Sequence, residues 1–324
     1  MPRRRKTAQN RPVEEPKAFQ TDLTQVLPLF LDFKRAEGVS PRTVQEYDEN
    51  VRRFFRRYPE AAKEPAAARQ AVLEYLAEAQ NPYTYNLRLT YLKAFYTWAE
   101  NEEFWPGPNP CRGFKRRRTE PRIVEHEEDV LRALLKLPDQ STYTGRRDYA
   151  LILLTLDTGI RPGEAFQLKL SDVDLNRHIV TVQEAYAKTR KARVLPISNL
   201  TAKAIRRLID ARPEDWDDTV PLFATYEGMP MNRHAWILRM RRYSQALGRP
   251  IRPYDLRHVF ALTFLRRGGH VFALQKTMGH TDLSMTKRYV ALTQEDLASV
   301  HREASPVNAL VSGGKTRAVK VRKR

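Results

Sequence analysis

Four short segments of the sequence each place a cationic or hydrogen-bonding side chain next to a turn or a helix start. They are TGIRPGE at 158–164, AKTRK at 187–191, YDLRH at 254–258, and the stretch from MGH at 278–280 to Tyr289. A guanidinium is always charged and presents a planar fork of donors that fits phosphate oxygens. A phenol can serve as a nucleophile. Brought together, side chains of these types could bind and attack a phosphate group.

Each segment alone also has an ordinary structural explanation. Arg161 and Arg257 could each pair with an acidic neighbour in the same segment. His280 could be a common helix-start residue, and Tyr289 could belong to a hydrophobic core. One such segment is therefore weak evidence, and only the set as a whole is informative.

The set, in its order and spacing, resembles the signature of the tyrosine recombinase (phage integrase) family over roughly residues 19–302. That family has an arginine in T-G-x-R-x-x-E, a lysine in a β-hairpin, an H-x-x-R pair, a G-H segment and a tyrosine some nine residues later. The matching residues here are Arg161, Lys188, Tyr254 with Arg257, His280 and Tyr289. The resemblance implies a Xer-like site-specific recombinase that cleaves and rejoins DNA through a 3′-phosphotyrosyl intermediate.

The resemblance also implies a role for each residue. Arg161 and Arg257 would neutralise the non-bridging phosphate oxygens, and His280 would donate a hydrogen bond to the phosphate. Tyr289 would attack phosphorus while Lys188 protonates the departing 5′ oxygen. Because a phosphotyrosyl link conserves the bond energy, rejoining is expected to need neither ATP nor a metal.

Two further residues, Lys191 and Glu164, each have a predicted role that has an alternative. Lys191 is the second choice for the general acid after Lys188. Glu164 is expected to brace Arg161 and the hairpin from behind, although an acid beside the positive end of a helix is equally ordinary.

Position 254 departs from the family pattern, because tyrosine replaces the usual histidine of H-x-x-R. That histidine is thought to help manage the proton of the nucleophile, and a phenol with a pKa of about 10 is a poor base. Tyr254 could still orient a phosphate oxygen or the nucleophile. His258 follows Arg257 directly, and adjacent helical side chains point about 100° apart. His258 is therefore expected not to fill the vacant role.

The overall charge favours a polyanionic partner. The chain has 57 Lys and Arg against 38 Asp and Glu, a net charge of +19. Residues 1–12 and 313–324 supply eleven of these excess charges and contain no acid, which leaves +8 on the rest. A basic body as well as basic ends points to nucleic acid.

Several classes of protein are not expected. Cys111 is the single cysteine, so an intrachain disulfide is excluded, and neither a structural zinc site nor any other cofactor is expected. No run of about 18 apolar residues occurs, and the N-terminus has no apolar secretory stretch. A soluble, cytoplasmic, nucleoid-associated protein is expected.

Hydrophobic periodicity predicts a four-helix unit in the first hundred residues, with spacings of three and four between apolar positions. Ser40 and Pro41 form a helix start, as N-cap and first helical residue. The other predicted helices cover 21–37, 67–79 and 83–104, the last with Leu87, Tyr91, Phe95 and Trp98 on one face.

The later part of the chain is predicted to be mainly helical with one small antiparallel sheet. Alternating residues indicate a strand at 179–182 and its partner at 194–197, with the hairpin turn at Thr189 and Arg190. The predicted fold class is therefore mainly α with a small β-sheet (α+β), in which an N-terminal helical core-binding domain precedes a tyrosine-recombinase catalytic domain.

The predicted boundaries give five segments. They are a basic tail (1–18), a helical SAM-like DNA-binding domain (19–104), a basic linker (105–122), a catalytic domain (123–304) and a C-terminal tail (305–324). The linker holds four prolines and two glycines, and it could be a solvated hinge or lie along a phosphate backbone. The C-terminal tail could dock on a neighbouring subunit or pack on its own domain.

The expected partner is duplex DNA with inverted half-sites, bound by a homotetramer with possible accessory proteins. A DNA-binding protein that has lost catalysis, a type IB topoisomerase and a basic RNA-binding protein are the alternatives. Candidate DNA contacts in the first hundred or so residues are Arg42, Arg52, Arg88, Lys93, Lys115, Arg116, Arg117 and Arg118.

Overall fold

The computed structural model describes residues 22–119, 124–187 and 189–292, together with 301, 305, 307 and 310. Lys188, the predicted basic N-terminal tail and most of the predicted C-terminal tail lie outside these ranges. The chain divides into two compact units, Met1–Glu120 and Pro121–Arg324. Both are mainly helical and one holds a small antiparallel sheet, as the sequence predicts.

Four α-helices lie within the described residues of the first unit, and each begins at a proline or a capping side chain that the sequence supplies. The Ser40 hydroxyl accepts a hydrogen bond from the Thr43 N–H, with Pro41 as first helical residue. Asp22 and Asn81 cap two other helices in the same way. The helices are α1 (Leu23–Ala36), α2 (Pro41–Arg57), α3 (Pro65–Ala77) and α4 (Pro82–Asn101).

The core of the first unit is built largely from aromatic rings. Phe30, Phe54 and Phe95 are fully buried, and edge-to-face contacts such as Phe30 on Phe95, with centroids 5.2 Å apart, join the helices. Tyr91 and Trp98 also lie inside, as predicted, whereas Leu87 from the same predicted face is 49% exposed.

The segment predicted as a linker packs on this core as far as Phe114. Trp105 and Cys111 are buried at 3% and 0% exposure. Arg69 donates to two carbonyl groups of the segment, and the Asn86 amide exchanges two hydrogen bonds of 2.8 Å with the Arg117 backbone. Residues 105–114 therefore belong to the first unit rather than to a linker, because they supply apolar side chains that complete its core, whereas 115–119 are exposed.

The second unit surrounds a three-stranded antiparallel sheet with helices. The sheet has the order β1-β2-β3, and β2 pairs with β3 from Ile179↔Pro196 to Val182↔Arg193. Pro196 lies on an edge strand, where a missing N–H is tolerated. The strands are β1 (Val173–Asp174), β2 (Ile179–Val182) and β3 (Arg193–Pro196). The stretch 168–175, predicted as a turn, contains a 3₁₀ turn and the short β1.

Eight helices of the second unit lie within the described ranges. They are α5 (Glu128–Lys136), α6 (Tyr143–Thr158), α7 (Pro162–Ala165), α8 (Asn199–Ile209), α9 (Arg233–Leu247), α10 (Pro253–Arg266), α11 (Val271–Met278) and α12 (Leu283–Leu292). None of the helices in the described parts of either unit has the length and apolar character needed to cross a bilayer.

Two glycines end the helices that matter most for the site. Gly159 ends α6 with φ +62°, and Gly279 ends α11 with φ +61°, a conformation that glycine adopts without strain. A Cβ at Gly159 would lie 2.4 Å from the Phe260 ring. This position therefore needs glycine both for its backbone and for the space beside it.

Replacing Gly159 by alanine should destabilise the protein more than replacing Gly248. Both glycines have positive φ, 62° and 65°, so each alanine costs about 1–2 kcal/mol of backbone strain. At Gly248 an added Cβ meets nothing within 4 Å, whereas at Gly159 the Phe260 contact adds about 1–3 kcal/mol of overpacking. Denaturant unfolding of both variants measures the difference. Equal losses would contradict the tight contact.

Candidate active site

Arg257 lies at the centre of the site and joins the ends of two helices. It is the fifth residue of α10 and is 3% exposed. Its guanidinium donates to the Gly159 carbonyl at the end of α6 and, at 2.8 Å, to the Met278 carbonyl at the end of α11. The last carbonyls of a helix have no partner inside the helix and carry its negative partial charge. The arginine satisfies both helix ends.

Arg161 meets the same helix end from another direction. Its Nη2 donates to the Gly279 carbonyl at 3.1 Å and its Nη1 to Glu164 Oε1 at 3.0 Å. Burial, and then the charge of Arg161, lower the pKa of Arg257 to about 10. The Arg257 guanidinium therefore stays positive at neutral pH. The turn that follows α11 thus receives both arginine side chains.

Glu164 holds Arg161 from behind, and it also holds an arginine that the sequence analysis did not single out. Its side chain is almost fully buried and accepts from Arg193 Nη2 at 2.6 Å. Arg193 Nε donates to the Thr277 carbonyl at 3.0 Å. One sequence pattern could have identified Arg193: it lies two residues before Leu195 in a strand, and so on the inward face.

His280 contacts Arg257 directly and has a defined proton position. Its Nε2 lies 3.1 Å from Arg257 Nη2, and its Nδ1 lies 2.9 Å from the hydroxyl of buried Thr286. A guanidinium only donates, so Nε2 accepts and the proton of the neutral ring is on Nδ1. Burial, and then the nearby arginines, lower the pKa of His280 to about 4. The ring is neutral at physiological pH.

Tyr289 is both a core residue and a site residue. It is 5% exposed and packs with Phe260, Leu274 and Met278. Burial raises the pKa of its hydroxyl, while the charge of Arg257 acts in the opposite direction. The phenol is therefore protonated at neutral pH, and it needs a proton acceptor before it can act as a strong nucleophile.

The hydroxyl of Tyr289 lies 2.7 Å from His258 Nδ1, which the sequence analysis did not expect. His258 therefore lies in the site, although the divergence of adjacent helical side chains was expected to direct it away from the role of the missing histidine. Adjacent side chains on α10 do diverge, but Arg257 points at the ends of α6 and α11 while His258 points at α12. Both directions lead to the site because helices border α10 on both sides.

Tyr254, at the family's usual histidine position, makes fewer contacts with the other side chains of the site. It is 45% exposed, and its ring centroid lies 6.4 Å from that of His258. Within the described ranges its hydroxyl has no hydrogen-bond partner. The structure thus brings Arg161, Arg257, His280 and Tyr289 together and leaves Tyr254 at the rim.

The predicted general acid, Lys188, lies outside the described residues, but the two sides of its hairpin do not. On the β2 side, Asp172 accepts hydrogen bonds from the Tyr186 hydroxyl and, at 2.9 Å, from the Gln183 amide. On the β3 side, Arg193 is held by Glu164. Lys191, the second choice, is exposed. The hairpin is therefore fixed on both sides of residue 188.

Two of the predicted DNA-contacting arginines in the first unit lie against tyrosine rings. Arg88 lies 4.0 Å above the Tyr75 ring and donates to the Tyr75 carbonyl. Arg117 donates to the Ala79 carbonyl at 2.9 Å and stacks on Tyr85. The remaining candidates are exposed: Arg42, Arg52, Lys93, Lys115, Arg116 and Arg118.

Metal ligands do not cluster in the part of the chain that the structure describes. A search of these residues finds no group of three or more His, Cys, Asp or Glu side chains that could hold an ion.

Comparison with known proteins gives matches over both units. The sequence model of the phage integrase family matches residues 126–296, and that of the phage integrase N-terminal SAM-like domain matches residues 29–103. The tyrosine recombinase XerA of Thermococcus kodakarensis is 30% identical over 296 residues, which cover 89% of this chain and 98% of XerA. XerD of Ralstonia nicotianae is 31% identical over 69% of this chain and 73% of its own length.

Solved structures show the same fold at low sequence identity. The Tn1549 transposon integrase in complex with transposon right end DNA superposes with a TM-score of 0.65 at 21% identity, covering 82% of this chain and 94% of the integrase. The XerH site-specific recombinase bound to a palindromic difH substrate gives a TM-score of 0.66 at 16% identity, covering 88% and 85%.

The free energy of unfolding should fall as the pH is lowered from 7 to 5, partly because of His280. Its pKa is about 4 in the folded protein and about 6.5 when unfolded, so the unfolded chain binds more protons in between. The stability is complete above about pH 6.5 and is lost progressively toward pH 4. Urea unfolding of His280→Gln should show a smaller decrease over this interval. His234→Gln, which changes an exposed histidine, is the control, and a wild-type pH dependence in both variants would refute the assignment.

Proposed function

Because this chain belongs to the phage integrase family of tyrosine recombinases, we propose that it cleaves and rejoins specific DNA sites through a 3′-phosphotyrosyl link at Tyr289. The observation that carries this proposal is the convergence at the turn after α11. Arg161 and Arg257 donate to consecutive carbonyls there, and both charges act on the Tyr289 hydroxyl.

The two arginines retain donors for a phosphate. A guanidinium has five N–H donors. Arg161 uses two of them on Gly279 and Glu164, and Arg257 uses three on Gly159, Met278 and His280. The remaining donors are available to the non-bridging oxygens. Since the groups are held in place by the protein before DNA binds, they stabilise the charge that develops in the transition state without reorganising.

The proposed reaction uses these side chains together with Lys188, which lies outside the described residues. The Tyr289 hydroxyl gives up its proton to a base as its oxygen attacks phosphorus, the bond from phosphorus to the 5′ oxygen breaks, and the free 5′ oxygen takes a proton from Lys188. A 5′ hydroxyl from a second strand reverses the step. One ester bond replaces another, so no nucleotide hydrolysis is required.

His280 needs a change of proton position to act on the phosphate. In the free protein its Nε2 accepts from Arg257. When a phosphate oxygen takes that Arg257 donor, Nε2 is released and can carry the proton instead of Nδ1. Thr286 then donates its hydroxyl proton to Nδ1. The buried threonine thus supports either form of the ring.

Duplex DNA with inverted half-sites is the proposed partner, bound by four copies of the chain. The net charge of +19 and the exposed cations of the first unit support a polyanionic ligand. The structural neighbours from a transposon and from a Xer system are bound to DNA. Movement of a genetic element and resolution of chromosome dimers are both compatible with this chemistry.

Covalent capture tests the proposal without knowledge of the target site. A pool of randomised duplexes, lightly nicked with DNase I, is incubated with the protein and separated under denaturing conditions. Where a nick lies close to the cleaved phosphate, the short fragment dissociates after cleavage. Rejoining can then no longer occur, so the covalent adduct accumulates. The wild type should enrich a defined sequence in covalent form, and Tyr289→Phe should bind the same duplexes without forming the adduct.

Arg257→Ala should lower the rate of adduct formation by about 10²-fold or more, because it removes a charge-stabilising donor. Arg42→Ala, which changes an exposed cation of α2, should chiefly weaken binding. Absence of any wild-type adduct would favour a DNA-binding protein without catalysis. Relaxation of supercoils at all sequences would favour a topoisomerase.

A further inference from the structure

The hydrogen bond between His258 and Tyr289 joins two helices at the reacting atom. His258 Nδ1 on α10 lies 2.7 Å from the Tyr289 hydroxyl on α12, and the ring centroids are 5.8 Å apart. This distance is within the reach required for direct proton transfer.

The direction of this hydrogen bond follows from the surroundings of the hydroxyl. Tyr289 is 5% exposed, and among the described residues its proton has no acceptor other than His258 Nδ1. If Nδ1 carried a proton, a buried hydroxyl would be left without an acceptor, which costs about 1–3 kcal/mol. Tyr289 therefore donates, and the proton of the neutral imidazole is on Nε2.

Burial favours the neutral form of His258, which is able to accept a proton. Burial and the positive charge of Arg257 lower the pKa of His258, while Asp255 acts against them. Around the Tyr289 hydroxyl, burial raises the pKa and Arg257 lowers it. The titratable and charged groups that face the pair are Tyr254, Asp255 and Arg257 on α10, Arg288 on α12, Arg161 before α7, and His280 after α11.

We propose that His258, rather than the residue at position 254, accepts the proton of Tyr289 during DNA cleavage and returns it during rejoining. The inference rests on the proposed recombinase function. The hydroxyl proton moves to Nδ1 as the Tyr289 oxygen bonds to phosphorus, which leaves an imidazolium. The bond from phosphorus to the 5′ oxygen breaks, and that oxygen takes a proton from Lys188. Rejoining reverses each transfer.

This assignment accounts for the tolerance of tyrosine at position 254. Tyr254 is 45% exposed, lacks a hydrogen bond within the described ranges, and is a weak base at neutral pH. Because His258, on the next turn of α10, supplies the proton acceptor, the residue at position 254 does not need to take part in proton transfer.

The first test uses the protein alone. Histidine labelled with ¹⁵N should show His258, identified by loss of its signal in His258→Asn, with an unprotonated Nδ1 and a proton on Nε2. Tyr289→Phe should shift the Nδ1 resonance and alter this preference, and His234→Ala should not. An unchanged His258 spectrum in Tyr289→Phe would overturn the proposal, whether or not the protein cleaves DNA.

The second test follows adduct formation in a single turnover, on a nicked duplex enriched by covalent capture. At pH 7, His258→Ala should react about 10²–10⁴-fold more slowly than the wild type, while gel shifts give unchanged DNA affinity. The rate of the variant should rise about tenfold per pH unit as Tyr289 ionises in solution. The wild-type rate should level off once His258 is neutral. His234→Ala should follow the wild type.

The outcomes separate the two hypotheses. If the wild type forms no adduct, the recombinase function is refuted. The hydrogen bond between His258 and Tyr289 is then tested by the ¹⁵N spectra alone. If the wild type forms an adduct and His258→Ala matches its rate, the role of His258 is refuted. The role of His258 is also refuted if Tyr254→Phe loses cleavage while His258→Ala retains it. His258→Asn keeps a polar group near the Nδ1 position but cannot take the proton, so it should show the same loss even where alanine impairs folding.

Discussion

The attraction between guanidinium groups and the carbonyl ends of two helices organises the second unit. Arg257 donates to the last carbonyls of α6 and α11, and Arg161 and Arg193 donate to further carbonyls at the end of α11. These oxygens have no partner within their helices and carry partial negative charge. Three positive side chains can therefore lie close together in a mostly buried place where they would otherwise repel one another.

The glycines of the sequence motifs are explained by the same interaction. A helix that ends in a left-handed residue turns the chain sharply and leaves its last carbonyls accessible. Gly159 and Gly279 both do this, and Arg161 and His280 follow them within two residues and one residue. The carbonyl of Gly159 accepts from Arg257, and the carbonyls of Met278 and Gly279 accept from Arg257 and Arg161. The two helix ends are therefore joined by arginines, and each glycine leaves the acceptors open to them.

The sequence predicted the helices and the hairpin, and it singled out four residues that the structure brings together, because caps, periodicity and motif spacing are local. It failed where direction depends on neighbouring elements. The 100° angle between Arg257 and His258 is correct, but it does not reveal that α12 lies on the second side. Likewise, the prolines of 105–119 correctly indicate an irregular backbone, and they say nothing about the burial of Trp105 and Cys111.

The packing of 105–119 onto the first unit also has a thermodynamic consequence for Lys115, Arg116 and Arg118. Fixing a backbone costs about 1–2 kcal/mol per residue. Here the free-energy cost of ordering this segment is offset during folding by the burial of Trp105 and Cys111. The backbone that carries these three cations is therefore ordered in the folded protein, so binding of a polyanion would not require ordering a loose chain.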